Sequence, residues 1–388
     1  MNRKLRMGMI GGGNGSLIGP IHRIAANMDG LTELCSGAFS RSPETAIESG
    51  KALFLSQERT YLNYEEMVQE ESVLPLDKRI DFITIVTPNF AHFAPAMMAL
   101  EHGFNVVIDK PMTFSLEEAK SLQRKVEETG LLLCLTHTYS GYPMVKQARQ
   151  MIREKAFGNI RKVWVEYPQG WLSQRLEDKG NAQASWRTDP EKSGKSGCMG
   201  DIGTHAWHLA EYVSGQAVTH VCAHLTTFVE NRLLEDDGNV LLKFDGGATG
   251  VLMASQVAAG EENGIRIRVY GEKGGIEWHQ HNPNTLLVKW QDAPMRTLRA
   301  GSNYGDRLSR IAIHNCRTPG GHPEGYLEAF ANIYRNFALT LSAKLEDREI
   351  TEEIADFPGV QDGVRGMAFI DTVITSGNSN EKWTKFVV

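Results

Sequence analysis

The chain has too few cysteines, too widely scattered, for a disulfide framework. Five occur in 388 residues (Cys35, Cys134, Cys198, Cys222 and Cys316), an odd number without a CxxC pair. Free thiols in a reducing compartment are therefore expected. No run of eighteen apolar residues exists, which excludes a helical membrane span. The basic opening from Met1 to Arg6 leads into an apolar stretch that breaks at Gly11-Gly12-Gly13. That stretch is too short for the core of a secretory leader, so a cytoplasmic location is expected. Excess positive charge is also missing: 47 acidic residues against 41 basic ones leave −6, and neither nucleic acid nor an anionic membrane is an expected partner. Repeats and low-complexity linkers are absent. What remains has a soluble globular composition, and its length exceeds one ordinary core, so two domains are expected.

Up to about residue 137, strand-like and helix-like patterns alternate. Leu5 to Ile10 is a short apolar run ending in glycines, while Phe82 to Thr87 and Asn105 to Ile108 are near-continuous β-branched runs. Such runs fit parallel strands buried on both faces. Ala94 to His102 reads as a helix stopped by Gly103. Ser115-Leu116-Glu117-Glu118 is a capping box opening a helix with Leu116, Ala119, Leu122 and Val126 at helical spacing, closed by Gly130. Leu131 to Leu135 then returns as a strand. This alternation predicts an α/β domain over 1–137, a doubly wound parallel sheet of Rossmann type with its ligand at the carboxyl ends of the strands.

From residue 138 the pattern changes. Val163, Val165 and Tyr167 share one strand face, as do Val240, Leu242 and Phe244 before the Asp245-Gly246-Gly247 turn. Ile265, Ile267 and Val269 lead through Gly271 to Gly275 into Ile276 and Trp278. Residues 138–388 are thus expected to form one α+β domain on an open, mainly antiparallel sheet, with late helices over Tyr326 to Leu345 and Val364 to Ser376.

The string Gly11-Gly12-Gly13-Asn14-Gly15-Ser16-Leu17-Ile18-Gly19 follows the first strand and precedes a helical stretch, Pro20 to Met28. Glycines there let backbone N–H groups approach a pyrophosphate at a helix N-terminus. Gly11, Gly13 and Gly19 serve as the three fingerprint glycines if three residues are inserted before the last. No Gly-Lys-Ser/Thr follows, which disfavours a triphosphate loop. Near the end of the second strand, Ser40-Arg41 stands where an acidic residue would hold the ribose hydroxyls of NAD. A hydroxyl and a guanidinium suit a 2′-phosphate better, so the cofactor is NAD or NADP, leaning to NADP.

Four further segments carry the chemistry: Thr87-Pro88-Asn89-Phe90-Ala91-His92, Asp109-Lys110-Pro111, Trp186-Arg187 and Gly200-Asp201-Ile202-Gly203-Thr204-His205. In this order they resemble the glucose–fructose oxidoreductase, inositol dehydrogenase and rhizopine-catabolism (Gfo/Idh/MocA) family, over essentially the whole chain. The resemblance implies that Lys110 is the catalytic acid/base, that Asp201 and His205 assist it across the domain cleft, and that Pro88, Asn89 and His92 lie near the nicotinamide ribose. Asp109 replaces the family's glutamate and is one methylene shorter. The residues support the same chemistry independently, since hydride transfer from a carbinol carbon requires a base at its hydroxyl, and Lys110 ends an apolar strand. Asp201 and His205, four apart, are expected on one helix face. Together with His208 they form Asp-x3-His-x2-His, but zinc sites usually recruit better separated ligands plus Cys or Glu from another element, and hydride transfer to nicotinamide needs no metal when a lysine is present, so no metal is expected. Trp186 and Arg187 are candidates for sugar contacts. His322 and Glu324, just before the late helix, read equally well as hydroxyl ligands or as loop structure.

The expected activity is an NAD(P)-dependent dehydrogenase that interconverts a hydroxyl and a ketone on a sugar, glycoside or cyclitol. The family resemblance implies the substrate class and a homodimer or homotetramer formed through the open sheet. Two rivals remain: a redox-neutral glycosidase or epimerase working through a transient 3-keto sugar, and a dinucleotide-sensing regulator without catalysis.

Overall fold

Five strands make the expected parallel sheet: β1 (Leu5–Gly11), β2 (Thr32–Ala38), β3 (Phe82–Val86), β4 (Asn105–Ile108) and β5 (Leu133–Leu135). Their order is β2-β1-β3-β4-β5, with every neighbouring pair parallel. Every residue of β3 and β4 is buried, which is why both are apolar runs and not alternations. The sheet order reverses between β1 and β3, whose ends Gly11 and Val86 pair in register. Open α/β sheets bind ligands at such a switch point. The computed structural model describes residues 3–388; Met1 and Asn2, the start of the basic opening, lie outside the described residues.

Helices Ile18–Asn27, Pro43–Ala52, Tyr64–Val73, Phe93–Glu101 and Leu116–Thr129 connect these strands. The last begins with the expected reciprocal box, Ser115 and Glu118 each accepting from the other's backbone N–H, and ends on Gly130 at φ 64°. Pro43–Ala52 and Tyr64–Val73 went unseen in the sequence because each buries only three residues, and their clearest marks are the caps Ser42 and Asn63.

The described chain forms two units. One contains the residues up to Thr138 together with Tyr326–Val364; the other contains Tyr139–Gly325 and Arg365–Val388. Residues 326–364 therefore depart from the expectation of a single domain over 138–388. The reason is packing. Phe330, Ile333, Tyr334, Phe337 and Leu341 of helix Tyr326–Leu345 share one core with Leu5, Met7, Met9, Phe82 and Val107. A helical stripe reveals which face is apolar, but not which surface it will cover.

The second unit is built on β6 (Ile160–Pro168), β7 (Val218–Thr226), β8 (Asp237–Phe244), β9 (Thr249–Ser255), β10 (Arg266–Gly271), β11 (Gly274–His279), β12 (Thr285–Trp290), β13 (Arg296–Arg299) and β14 (Thr384–Lys385). Their order is β13-β12-β11-β10-β6-β9-β8-β7-β14. All pairs are antiparallel except β6 with β9. Helix Thr204–Ser214 packs against β6, β9 and β10. Among the described residues, no helix is long and apolar enough to cross a membrane.

Phe337 is fully buried with its ring 5.2 Å from that of Phe82. Phe337→Ala is expected to cost about 3–5 kcal/mol in denaturant titration. A loss below about 1 kcal/mol would mean that the first 138 residues close their own core without the late helix.

Candidate active site

The glycine string forms a fitted cradle. Gly11 and Gly12 take φ values of 78° and 71°, which side chains rarely adopt. A Cβ on Gly13 would stand 2.7 Å from Ser49 Oγ, and one on Gly19 only 2.3 Å from the Gly12 carbonyl oxygen. Helix Ile18–Asn27 therefore lies directly on the end of β1. Arg23 donates to the Gly12 carbonyl at 2.6 Å and the Asn14 N–H donates to Ser49 Oγ at 2.9 Å, fixing the loop. Leu17 at the helix N-cap makes no side-chain cap and the first turn has no acidic residue; Ser16 Oγ accepts from the Gly19 N–H at 3.1 Å, and the positive end of the helix dipole favours an anion. These residues fit the pyrophosphate of a dinucleotide. Ser40 and Arg41 follow β2; Arg41 is exposed, and Ser40 Oγ accepts from the Ser42 N–H at 3.1 Å.

Asp109 and Lys110 follow β4, with the Lys110–Pro111 peptide cis. Asp109 Oδ1 accepts from the Lys110 N–H at 2.8 Å and from Thr136 Oγ1 at 2.9 Å. Burial alone would raise the Asp109 carboxyl, but His22, with Lys110 and His92, outweighs it and holds the group well below the ordinary aspartate range. His22 Nε2 stands 3.9 Å from Asp109 Oδ2, an electrostatic approach too long for a hydrogen bond. Its Nδ1 lies 2.7 Å from the Tyr334 hydroxyl. His92 is buried, with Nδ1 2.9 Å from the Pro111 carbonyl and Nε2 2.7 Å from that of Thr87. It clips the loop after β3 to the Lys-Pro turn, and burial pushes its pKa down. On that loop Asn89 is buried and Pro88 exposed.

In the second unit, Asp201 sits in a wide π-helical turn, Met199–Gly203, that runs into helix Thr204–Ser214. The sequence predicts a plain α-helical face here; π turns often mark functional sites. Glu235 holds the turn, accepting from Ser196 Oγ and from the Met199 N–H. Asp201 Oδ2 accepts from Gln256 Nε2 at 2.9 Å and lies 3.3 Å from Arg187 Nε. Arg187 and Trp186 end a short helix, Ala182–Arg187, and the guanidinium rests 4.2 Å over the Trp186 ring and 6.0 Å from that of Trp171. His205 is largely buried and meets Tyr139 edge to face at 5.0 Å.

From Tyr139 a polar chain leads back to Arg187. The hydroxyls of Tyr139 and Tyr167 share a short hydrogen bond. Tyr167 donates to Asn263 Oδ1 at 2.7 Å, Gln169 donates to the same oxygen at 2.5 Å, and Trp171 donates to Gln169 Oε1 at 3.0 Å. The contacts thus close a ring from His205 to Asp201. Sequence reasoning named its two ends, with Trp186 and Arg187. It missed Tyr139, in the short 3₁₀ turn Thr138–Gly141, and Gln169, Trp171, Gln256 and Asn263, which lie in loops without periodicity.

Glu324 is buried and holds the loop before the late helix. Its Oε1 accepts from the N–H groups of Arg317 and Thr318 at 2.6 and 2.7 Å, pinning that loop. His322 is exposed, and its carbonyl accepts from Thr318 Oγ1. His208 is buried and stacks on Tyr212 at 5.9 Å. Among the described residues, no group of three or more His, Cys, Asp or Glu side chains is placed to hold a metal.

Residues 5–137 match an oxidoreductase family with an NAD-binding Rossmann fold, and residues 145–277 match the GFO/IDH/MocA C-terminal domain. The chain is 33% identical over 390 residues to an uncharacterized oxidoreductase, YfiI, of Bacillus subtilis, covering 100% of this chain and 98% of the relative. It is 24% identical over 414 residues to a levoglucosan dehydrogenase of Pseudarthrobacter phenanthrenivorans, covering 98% of each. An inositol dehydrogenase homolog from Azotobacter vinelandii, solved with NAD+, matches with a TM-score of 0.93 at 33% identity over 100% of this chain and 98% of that one. An oxidoreductase from Sinorhizobium meliloti matches at 41% identity and 0.88, over 99% and 100%.

Because a Cβ at position 19 meets the Gly12 backbone, Gly19→Ala is expected to destabilise the protein by about 1–3 kcal/mol and to weaken dinucleotide binding. Unchanged melting together with unchanged dinucleotide titration would reduce the string to a flexible turn.

Proposed function

The chain belongs to the GFO/IDH/MocA oxidoreductase family, and we propose that it is an NAD(P)-dependent dehydrogenase interconverting a secondary hydroxyl and a ketone on a cyclitol, sugar or glycoside, with Lys110 as acid/base. The observation that carries the substrate class is the ring of phenol, amide and indole groups joining His205 to Asp201. It holds donors and acceptors in quantity, while the charge of Asp201 is balanced by Arg187 at 3.3 Å. Such a surface suits a neutral, hydroxyl-rich molecule. The inositol dehydrogenase homolog and the levoglucosan dehydrogenase among the relatives support the same class.

Bound nicotinamide supplies the hydride acceptor, or donor in reverse. Lys110, held at the end of β4, takes the hydroxyl proton as the carbinol carbon is oxidised and returns it on reduction. Asp201 and His205 orient the hydroxyls, which lowers the barrier by fixing geometry without moving the proton themselves. Ser40-Arg41 at the end of β2 supports NADP over NAD. Five free cysteines support a reducing, cytoplasmic setting. Trp164, Val251 and Leu241 are exposed and adjacent across β6, β9 and β8, which supports a homodimer or homotetramer through that sheet.

A panel of cyclitols, polyols and glycosides with either dinucleotide, read by absorbance of the reduced nicotinamide, tests the activity. Turnover without accumulation of reduced dinucleotide would instead mark a redox-neutral cycle. Lys110→Ala is expected to lower kcat about 10²–10⁴-fold with dinucleotide affinity nearly unchanged; retention of more than about a third of the turnover removes Lys110 from the role. Arg41→Ala is expected to weaken NADP more than NAD. Equal losses for the two in titration would discard the phosphate contact.

A further inference from the structure

His22 is a fully buried histidine on the helix that follows the glycine cradle, and neither the dinucleotide fold nor the proton step above uses it. Its Nδ1 lies 2.7 Å from the Tyr334 hydroxyl, which lies 3.3 Å from Thr84 Oγ1. Its Nε2 has no hydrogen-bond partner among the described residues and points toward Asp109 Oδ2 at 3.9 Å. The other carboxylate oxygen, Oδ1, is already held by Thr136 and the Lys110 N–H. A buried ring nitrogen without a partner costs about 1–3 kcal/mol, so its position opposite an ionised carboxylate calls for a role.

The tautomer follows from the contacts. Burial pushes the Tyr334 phenol well above its ordinary range, so it keeps its proton. Tyr334 can give its one proton to Thr84 Oγ1 at 3.3 Å or to His22 Nδ1 at 2.7 Å; given to His22, the shorter contact, it leaves Thr84 to donate to the phenol oxygen in turn. Nε2 then carries the imidazole N–H and faces the carboxylate as a donor. In the opposite arrangement, a bare Nε2 lone pair would face Asp109 and repel it. A shift of about 1 Å turns the 3.9 Å approach into a charge-assisted hydrogen bond.

We propose that His22, locked by Tyr334 as the Nε2–H tautomer, is a positioning residue that holds Asp109 Oδ2 and through Asp109 fixes Lys110 for proton exchange. The aspartate at position 109 is one methylene shorter than glutamate, and 3.9 Å separates its Oδ2 from His22 Nε2. The inference rests on Lys110 as the acid/base.

Nitrogen-15 NMR of ring-labelled enzyme reads the tautomer without turnover, and is expected to show protonated Nε2 and accepting Nδ1; protonated Nδ1 overturns the proposal. His22→Leu is expected to lower kcat about ten- to hundred-fold, with KM and dinucleotide affinity within about threefold, the scale of a mutant that loses only transition-state positioning. His22→Gln, which can still present an amide N–H, restores most of that loss. Tyr334→Phe, which keeps the core volume, gives a smaller fall in kcat and serves if His22→Leu does not fold. Equal kcat in wild type and Tyr334→Phe, or no recovery in His22→Gln, sinks the positioning role. Lys110→Ala run alongside separates the two claims: if it keeps turnover, the acid/base reading fails, whereas its inactivity beside a fully active His22→Leu fails the positioning claim alone.

Discussion

The return of helix Tyr326–Leu345 to the parallel sheet is the constraint on which the first unit depends. The residues before Thr138 supply five strands, but the core around Met7, Phe82 and Val107 is completed by Phe330, Tyr334 and Phe337 from nearly two hundred positions later. Burying large aromatic rings from a distant segment is favourable enough to offset the loop-closure entropy, which grows only slowly with length. It also has a local consequence. The same stripe that closes the core sets Phe330 4.7 Å from the His22 ring and the Tyr334 hydroxyl against His22 Nδ1. Packing and the polar network beneath Asp109 are therefore products of one helix.

Elements with a strong local signal were readable from the residues alone. The capping box at Ser115, the left-handed Gly130, the β8–β9 turn and the bounds of helix Tyr326–Leu345 all stand where period and punctuation placed them. What could not be read was the surface each element meets. The stripe on the late helix has the same pattern whichever sheet it covers, so residues 326–364 were assigned to the wrong partner. The π turn at Met199–Gly203 is equally invisible, because one extra residue per turn leaves no compositional mark, and its support comes from Glu235, thirty-four positions after Asp201. His22 was overlooked for the same reason: one histidine in a short amphipathic helix looks like core until Tyr334 arrives from far along the chain.

Two carboxylates anchor the chemistry-bearing segments, and the protein treats them differently. Asp201 is balanced by a guanidinium and an amide, so its charge is largely compensated within its own unit. Among the described residues no arginine pairs with Asp109; its oxygens meet a backbone N–H, a threonine hydroxyl and the approach of His22. Hydrogen bonds from neutral donors hold an anion in place without cancelling its charge. The first arrangement makes a neutral surface of fixed shape. The second keeps a negative group beside Lys110.

This difference bears on how such a protein would choose its substrate. A surface of compensated charge gains little from a charged ligand, since desolvation of the ligand offsets most of the attraction. A neutral molecule rich in hydroxyls avoids that cost, and it would have to exchange hydrogen bonds with amides and phenols that already bond one another. Discrimination would then follow the pattern of hydroxyls around a ring more than its size or charge. The ring of contacts is also rigid: Tyr139, Tyr167 and Asn263 are tied to one another, so none of them can turn to a new partner without breaking a bond to another.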